Sequence, residues 1–192
     1  LGGFATLALL WLLLLKLRPV SPPRPGSSPG RARGLMIVAL VAVILQITLG
    51  GWTSTNYAAL SCSEFPTCYG GQWWPVMDFR EAFVVWRGVG VNYEFGVLES
   101  DARTAIHITH RIGALATLII VGMLAIRLVR RHPGVMRRAG ILLSAVLLLQ
   151  IILGVTNVLG HLSLPVAVAH NGVAALLLLT LITILWLSTQ HE

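Results

Sequence analysis

Long uncharged, apolar runs separated by charged or proline-rich connections dominate this chain. Gly34 to Ser63, Ala139 to Gly160 and Val166 to Thr189 carry no acidic or basic residue. Each is long enough to cross ~30 Å of hydrocarbon at ~1.5 Å per residue. Thr104 to Ile126 is also long enough, with Arg111 and two histidines near its start. Leu1 to Leu15 is short for a full span. It lacks an initiator Met, a basic leader and a small-residue cleavage site, so it reads as the tail of a helix whose beginning lies upstream. The pattern predicts an all-α, polytopic transmembrane bundle of five spans, the first truncated.

Between the first two spans lies PVSPPRPGSSP, Pro19 to Pro29. Proline lacks the amide donor and fixes its own backbone angle, so this stretch is neither helix nor sheet but an extended linker. The expected organisation is therefore the end of a preceding span over 1–18, a linker over 19–33, and a four-helix domain over 34–192. That domain contains one long outer connection, 53–102. Within this connection Asp78 and Glu81 have capping-box spacing, and Phe79, Ala82, Phe83 and Trp86 follow at helical spacing. A short amphipathic surface helix is expected, with Trp73, Trp74 and Trp86 at headgroup level.

Composition agrees with a lipid environment: 56% of residues are hydrophobic and only 11% charged, too few charges to cover so apolar a soluble domain. The net charge of +7 could suggest nucleic acid as a partner, but its distribution excludes that reading. Lys16, Arg18, Arg24, Arg31 and Arg33 share one connection, and Arg127, Arg130, Arg131, Arg137 and Arg138 another. By the positive-inside rule both are cytoplasmic. Glu64, Asp78, Glu81, Glu94, Glu99 and Asp101 all fall in the long connection, which is then outside, as is the short one near Gly160 to Ser163. The only cysteines, Cys62 and Cys68, lie in the outer connection, where an oxidising periplasm permits a disulfide. Free thiols or a metal pair are the alternatives, although the spacing does not resemble a zinc site.

A repeat organises the four later spans. LQITLG at 45–50 matches LQIILG at 149–154, each near the outer end of an upward span. Each copy leads into an outer connection and then a downward span with a histidine near its start, giving His110 and His170. Both histidines sit roughly 10 Å below the outer interface. Intramembrane histidines face the bundle interior, either in structural hydrogen bonds or at a functional site. A depth-matched pair on two downward helices suits the axial imidazoles of a planar metal macrocycle. Small neighbours (Ala105, Thr109, Gly113 and Ala114; Ala167, Ala169, Gly172, Ala174 and Ala175) leave room for a flat ring. His107 shares nearly the same helix face as His110, one turn closer to water, and is the alternative ligand. Arg111 can pair with a haem propionate or snorkel to lipid phosphate, and Arg87 is a second candidate cation. His132 and His191 are surface residues of a basic turn and of the tail. No carboxylate lies within any span, so no buried general acid or base is apparent, and no catalytic residue is assigned.

Three segments, LQITLGGWTSTNYAALSCSEFPTC, the HxxHR sequence of His107 to Arg111, and LPVAVAHNGVAALLLLT around His170, resemble the haem A synthase family. The resemblance runs over essentially the whole chain and matches the C-terminal half of the CtaA-type enzyme together with the helix preceding it. It implies a haem b between His110 and His170, a cysteine pair at Cys62 and Cys68, and a bacterial inner-membrane location with the haem site towards the periplasm. The implied activity is oxidation of the C8 methyl of haem O to the formyl group of haem A, an oxidoreductase reaction of the full-length protein. Substrate and catalytic glutamate belong to the N-terminal half, so this half alone is expected to be inactive. Membrane lipid, haem O reached through that other half, and haem O synthase are the implied partners; self-association is left open. One departure is Ser63-Glu64, where the family often has Pro-Asp, which leaves the loop geometry open. Two other functions fit the residues themselves. One is a stand-alone bis-histidine b-type cytochrome relaying electrons from quinol; the other is a haem carrier or assembly factor.

Overall fold

The computed structural model describes residues 1–17, 30–88, 92–94 and 96–190. Among these, every regular element is helical. In chain order they are α1 (Gly2–Leu17), α2 (Gly30–Thr55), α3 (Phe79–Ala82), α4 (Ser100–Arg131), α5 (Gly134–Leu159) and α6 (Leu164–Thr189). Four of them, α2, α4, α5 and α6, are long and apolar enough to cross a membrane; α1, at 16 residues, is shorter. The chain is thus a polytopic helical membrane bundle. α2 begins at Gly30, inside the stretch read as linker, and 18–29 fall outside the described residues. The long connection is shorter than expected at both ends, since α2 continues to Thr55 and α4 starts at Ser100.

The four long helices form a closed ring in which α2 packs on α4, α4 on α5, α5 on α6, and α6 back on α2. Helices α4 and α6 therefore stand diagonally opposite, as do α2 and α5. α1 lies outside the ring against α6, where the Trp11 indole donates to the Thr183 hydroxyl at 2.9 Å. One end of the bundle, here the basic end, carries Lys16, Arg127, Arg130, Arg131, Arg137 and Arg138; the other, the loop end, carries the long connection.

Apolar side chains face outward as well as inward. Ile37, Val41, Ile44, Ile112, Ile119, Ile141 and Ile152 are all exposed on the outer surface of the ring. Such helices suit a hydrocarbon solvent, in which association rests on close packing rather than on hiding apolar area. The packed core occupies the basic half: Met36, Ala39 and Val43 from α2, Val121, Leu124 and Leu128 from α4, Leu143 and Leu147 from α5, and Leu177, Leu181 and Ile184 from α6.

The surface helix forms only in part. The Asp78 carboxylate caps α3 by accepting from the amides of Arg80 and Glu81 at 2.9 and 3.1 Å. The helix then stops after one turn. Arg87 takes the Glu81 carbonyl at 2.8 Å, a group a longer helix would need, and also pairs with the Glu81 carboxylate at 2.8 Å. Val84, Val85 and Trp86 come next, residue types that lose rotamer freedom in a helix. Trp73, Trp74 and Trp86 are nevertheless open to their surroundings, at 67, 68 and 75% exposure.

Gly140 sets the closeness of α4 and α5. A Cβ there would lie 2.7 Å from Leu128 Cβ and 3.2 Å from the Val129 backbone nitrogen. Backbone on one side cannot yield as a flexible side chain can. Gly140→Ala is expected to lower stability by about 1–3 kcal/mol, read as an earlier thermal transition in detergent. An unchanged transition would mean that the α4–α5 pair separates at no cost.

Candidate functional site

Each long helix contributes one polar residue to a single level of the bundle: Gln46 from α2, His110 from α4, Gln150 from α5 and His170 from α6. The two copies of the LQI-LG repeat carry the glutamines. The Gln46 amide nitrogen lies 3.1 Å from His110 Nδ1 and donates to the His110 carbonyl at 3.0 Å. The Gln150 amide nitrogen lies 3.2 Å from His170 Nε2. One turn further along each repeat is a glycine on which the same ring rests. A Cβ at Gly50 would lie 3.3 Å from His110 Cε1, and one at Gly154 3.2 Å from His170 Cε1. The repeat thus brings a glutamine and a glycine to each histidine, with Gln46 at Nδ1 of one ring and Gln150 at Nε2 of the other.

His110 and His170 come from diagonally opposed helices and lie within electrostatic reach of each other. α4 starts earlier relative to its histidine than α6 does. His110 is ten residues past Ser100, whereas His170 is six past Leu164. The extra turn of α4 carries the loop: Ala102, Ala105 and Ile106 pack against Ala58, Ala82 and Leu98.

Packing is incomplete at the histidine level. Between Val43 and Thr53, Ile108 and Thr117, and Leu147 and Val158, and from the start of α6 to Gly172, no residue is fully buried. Gln46 Oε1, Gln150 Oε1 and His170 Nδ1 are nonetheless out of contact with solvent and have no hydrogen-bond partner among the described residues. Leaving buried polar atoms unpaired costs about 1–3 kcal/mol each. Two histidines on diagonally opposed helices, loosely packed walls and unpaired polar atoms together fit a planar macrocycle that His110 and His170 would hold. The space beside Gly113, expected to leave room for a flat ring, is taken by a helix contact: a side chain there would collide with Gln46 Oε1 and press on Leu49.

His107 and Arg111 belong to the neighbouring loop. The His107 ring is buried, and its Nδ1–H donates to the Ala58 carbonyl at 2.9 Å; the Cys62 amide approaches the same nitrogen at 3.4 Å. Cys62 and Cys68 form a disulfide, which removes the thiol and metal-pair alternatives. The Arg111 guanidinium reaches into this disulfide loop. It donates to the carbonyls of Thr67, Cys62 and Glu64 at 2.9, 3.1 and 2.7 Å, and lies 5.7 Å over the Phe65 ring. Neither the propionate nor the lipid-phosphate reading anticipated this loop contact. Arg87, the other candidate cation, is occupied by Glu81.

Sequence reasoning found the histidines and overlooked their glutamines. The signal was present, because the repeat that flagged the histidines begins with the Leu-Gln-Ile shared by its two copies.

Glu64 completes the loop. Its carboxylate accepts from the Gly70 and Gly71 amides at 2.9 and 3.1 Å and from the Thr67 hydroxyl at 2.9 Å. The Gly71 amide foremost, then Thr67 and Gly70, hold its pKa below the ordinary carboxylate value. A depressed folded-state pKa stabilises the loop above the unfolded value, and that contribution disappears as pH falls through the folded one. Acidification from about pH 5 to about pH 2, reaching well below the ordinary carboxylate value, is expected to release the Gly70 and Gly71 amides, read as shifts of their NMR resonances. Glu64→Gln should remove that acid transition. Amide resonances that hold still in the wild type over this range would show that Glu64 does not organise the loop.

The family model described as cytochrome oxidase assembly protein, COX15-CtaA, matches residues 1–182. Heme A synthase of Shewanella oneidensis is 46% identical over 184 residues, covering 96% of this chain and 55% of that protein. Heme A synthase of Granulibacter bethesdensis is 33% identical over 172 residues, 89% of this chain and 41% of that protein. Heme A synthase of Rhizorhabdus wittichii is 28% identical over 175 residues, 91% of this chain and 46% of that protein. The chain therefore spans about half the length of the curated relatives it matches.

Proposed function

This chain belongs to the COX15-CtaA family of cytochrome oxidase assembly proteins, and from that premise we propose that it is the C-terminal, haem b-binding half of a haem A synthase. In that role it supports oxidation of the haem O C8 methyl to the formyl group of haem A, with haem O handled by the other half and supplied by haem O synthase. The single observation that carries this reading is the diagonal pair His110 and His170, each with its own glutamine contact and glycine rest. His110 is the ligand on α4, because it shares the level and the glutamine and glycine contacts of His170, whereas His107 packs one turn nearer the loop against Ala58 and Cys62.

His110 and His170 would hold the haem, which would supply one-electron redox chemistry suited to electron transfer rather than oxygen activation. The residues of the chain do the rest. Gln46 and Gln150 orient the two rings, and outer partners of this kind fix ring tautomer and basicity. Gly50 and Gly154 let helix backbone come close enough to hold each ring in place. Leu143, Leu147, Leu177 and Leu181 close the site on its basic side and keep water out. The concentration of Lys and Arg at the basic end supports a cytoplasmic location for that end, with the site towards the periplasmic side of the inner membrane.

A reduced-minus-oxidised spectrum with pyridine haemochrome analysis is expected to give one low-spin haem b per chain. His110→Ala and His170→Ala should each lose that spectrum, while His107→Ala keeps it. Unchanged haem content and spectrum in His170→Ala would overturn the assignment. The glutamines make a second test. Gln46→Leu and Gln150→Leu should each weaken haem retention by about 10–100-fold, followed as transfer to apomyoglobin. Wild-type retention in both variants would remove the amides from the site.

A further inference from the structure

Residues seven apart on a helix share a face and differ in height by about 10 Å. Seven residues from the Gln46, His110, Gln150, His170 level towards the basic end lie Ala39, Thr117, Leu143 and Leu177. All four are buried, and three of them are apolar. Seven residues the other way lie Thr53, Arg103, Asn157 and Ser163, one polar residue on each helix or at its cap. The site is thus a three-layer stack: an apolar floor, a histidine–glutamine band and a polar collar at the loop end.

The collar has unused hydrogen-bonding capacity. The Arg103 Nε and the Asn157 Oδ1 are shielded from solvent without a partner. The Arg103 side chain has neither a hydrogen bond nor an ion pair among the described residues, whereas Arg111 spends its donors on three loop carbonyls. Ser163 stands at the N-cap of α6 and makes no side-chain cap bond. Thr53 is turned back onto the Leu49 carbonyl at 2.8 Å. A shielded Nε–H without an acceptor is costly, and an anion at the loop end would satisfy it.

We propose that this collar is a carboxylate-binding subsite with Arg103 as its cation, orienting an amphiphilic, carboxylate-bearing macrocycle in the band below. The inference rests on the proposed haem site and adds to it a direction and a residue. Leu143 and Leu177 would face the apolar rim of such a ligand, and the collar would take its carboxylates at the loop end. Arg103 stands two turns above His110 on the same face, so one helix supplies both the axial nitrogen and the carboxylate partner. Arg111, the adjacent cation in sequence, faces the disulfide loop instead.

The test compares iron protoporphyrin IX with its dimethyl ester, in which both carboxylates are masked, on the full chain in nanodiscs. Loss of a charge-assisted hydrogen bond is expected to cost the Arg103→Gln variant about tenfold in affinity for the free acid, and to leave affinity for the ester unchanged. Arg103→Lys, which keeps the charge, should recover most of the preference for the free acid. An equal loss for both ligands in Arg103→Gln, or a wild-type preference retained in it, would overturn the subsite. His170→Ala separates the two readings. If that variant binds both ligands as the wild type does, the haem assignment itself fails. If it loses both while Arg103→Gln shows no carboxylate effect, only the collar fails.

Discussion

A polar group inside an apolar bundle must find a partner, and that requirement governs where this chain puts its few polar side chains. Hydrocarbon offers no hydrogen bonds, so helices satisfy their own backbones and intramembrane polar residues gather where they satisfy each other. Here they gather at one level. Gln46 meets His110 and Gln150 meets His170, while the layer below is almost wholly apolar. The ring order of the helices obeys the same logic. Glutamine-bearing and histidine-bearing helices alternate around the bundle, so each histidine has a glutamine neighbour and the two histidines stand on diagonally opposed helices.

The loop end is held by a different device. Arg111 is long enough to leave the helix face and collect three carbonyls of the disulfide loop, and Glu64 collects three donors from the same loop. A guanidinium presents its donors in a fixed fork, so three carbonyls on one cation define the shape of the loop as well as its position. Because Arg111 comes directly after His110, the loop and the histidine band are fastened to one turn of α4. His107 adds a second tie, from that turn to the Ala58 carbonyl.

Much of this was legible in the sequence. Apolar runs, three of them uncharged and the fourth carrying Arg111, located the four long helices, because lipid demands continuous apolar stretches whatever the packing. The repeat, together with a histidine after each copy, located the diagonal pair. The bonding partners of polar residues were harder to read. A glutamine in a span reads as one tolerated polar residue until the partner helix is known. Arg111 looked free to reach outward because the loop that folds back over it is brought there by tertiary contacts. The surface helix failed for a local reason: its cap was correctly read, but Arg87 competes for the Glu81 carbonyl after a single turn.

The repeat makes the two histidines similar near the ring and unequal beyond it. The glycine rests match to within a tenth of an ångström, 3.3 and 3.2 Å, although Gln46 meets Nδ1 of its ring and Gln150 meets Nε2. The connections leaving the two copies differ: a long, disulfide-closed, arginine-clamped one after α2, and the short turn Gly160 to Ser163 after α5. α4 accordingly extends a turn further past its histidine than α6 does, and that turn carries Arg103, the cation of the collar. On α6 the corresponding position is Ser163, a cap residue without charge. Duplication therefore supplied a similar pair of cradles. Asymmetry in the connections placed charge on one side only, and with it a direction for whatever lies between the two rings.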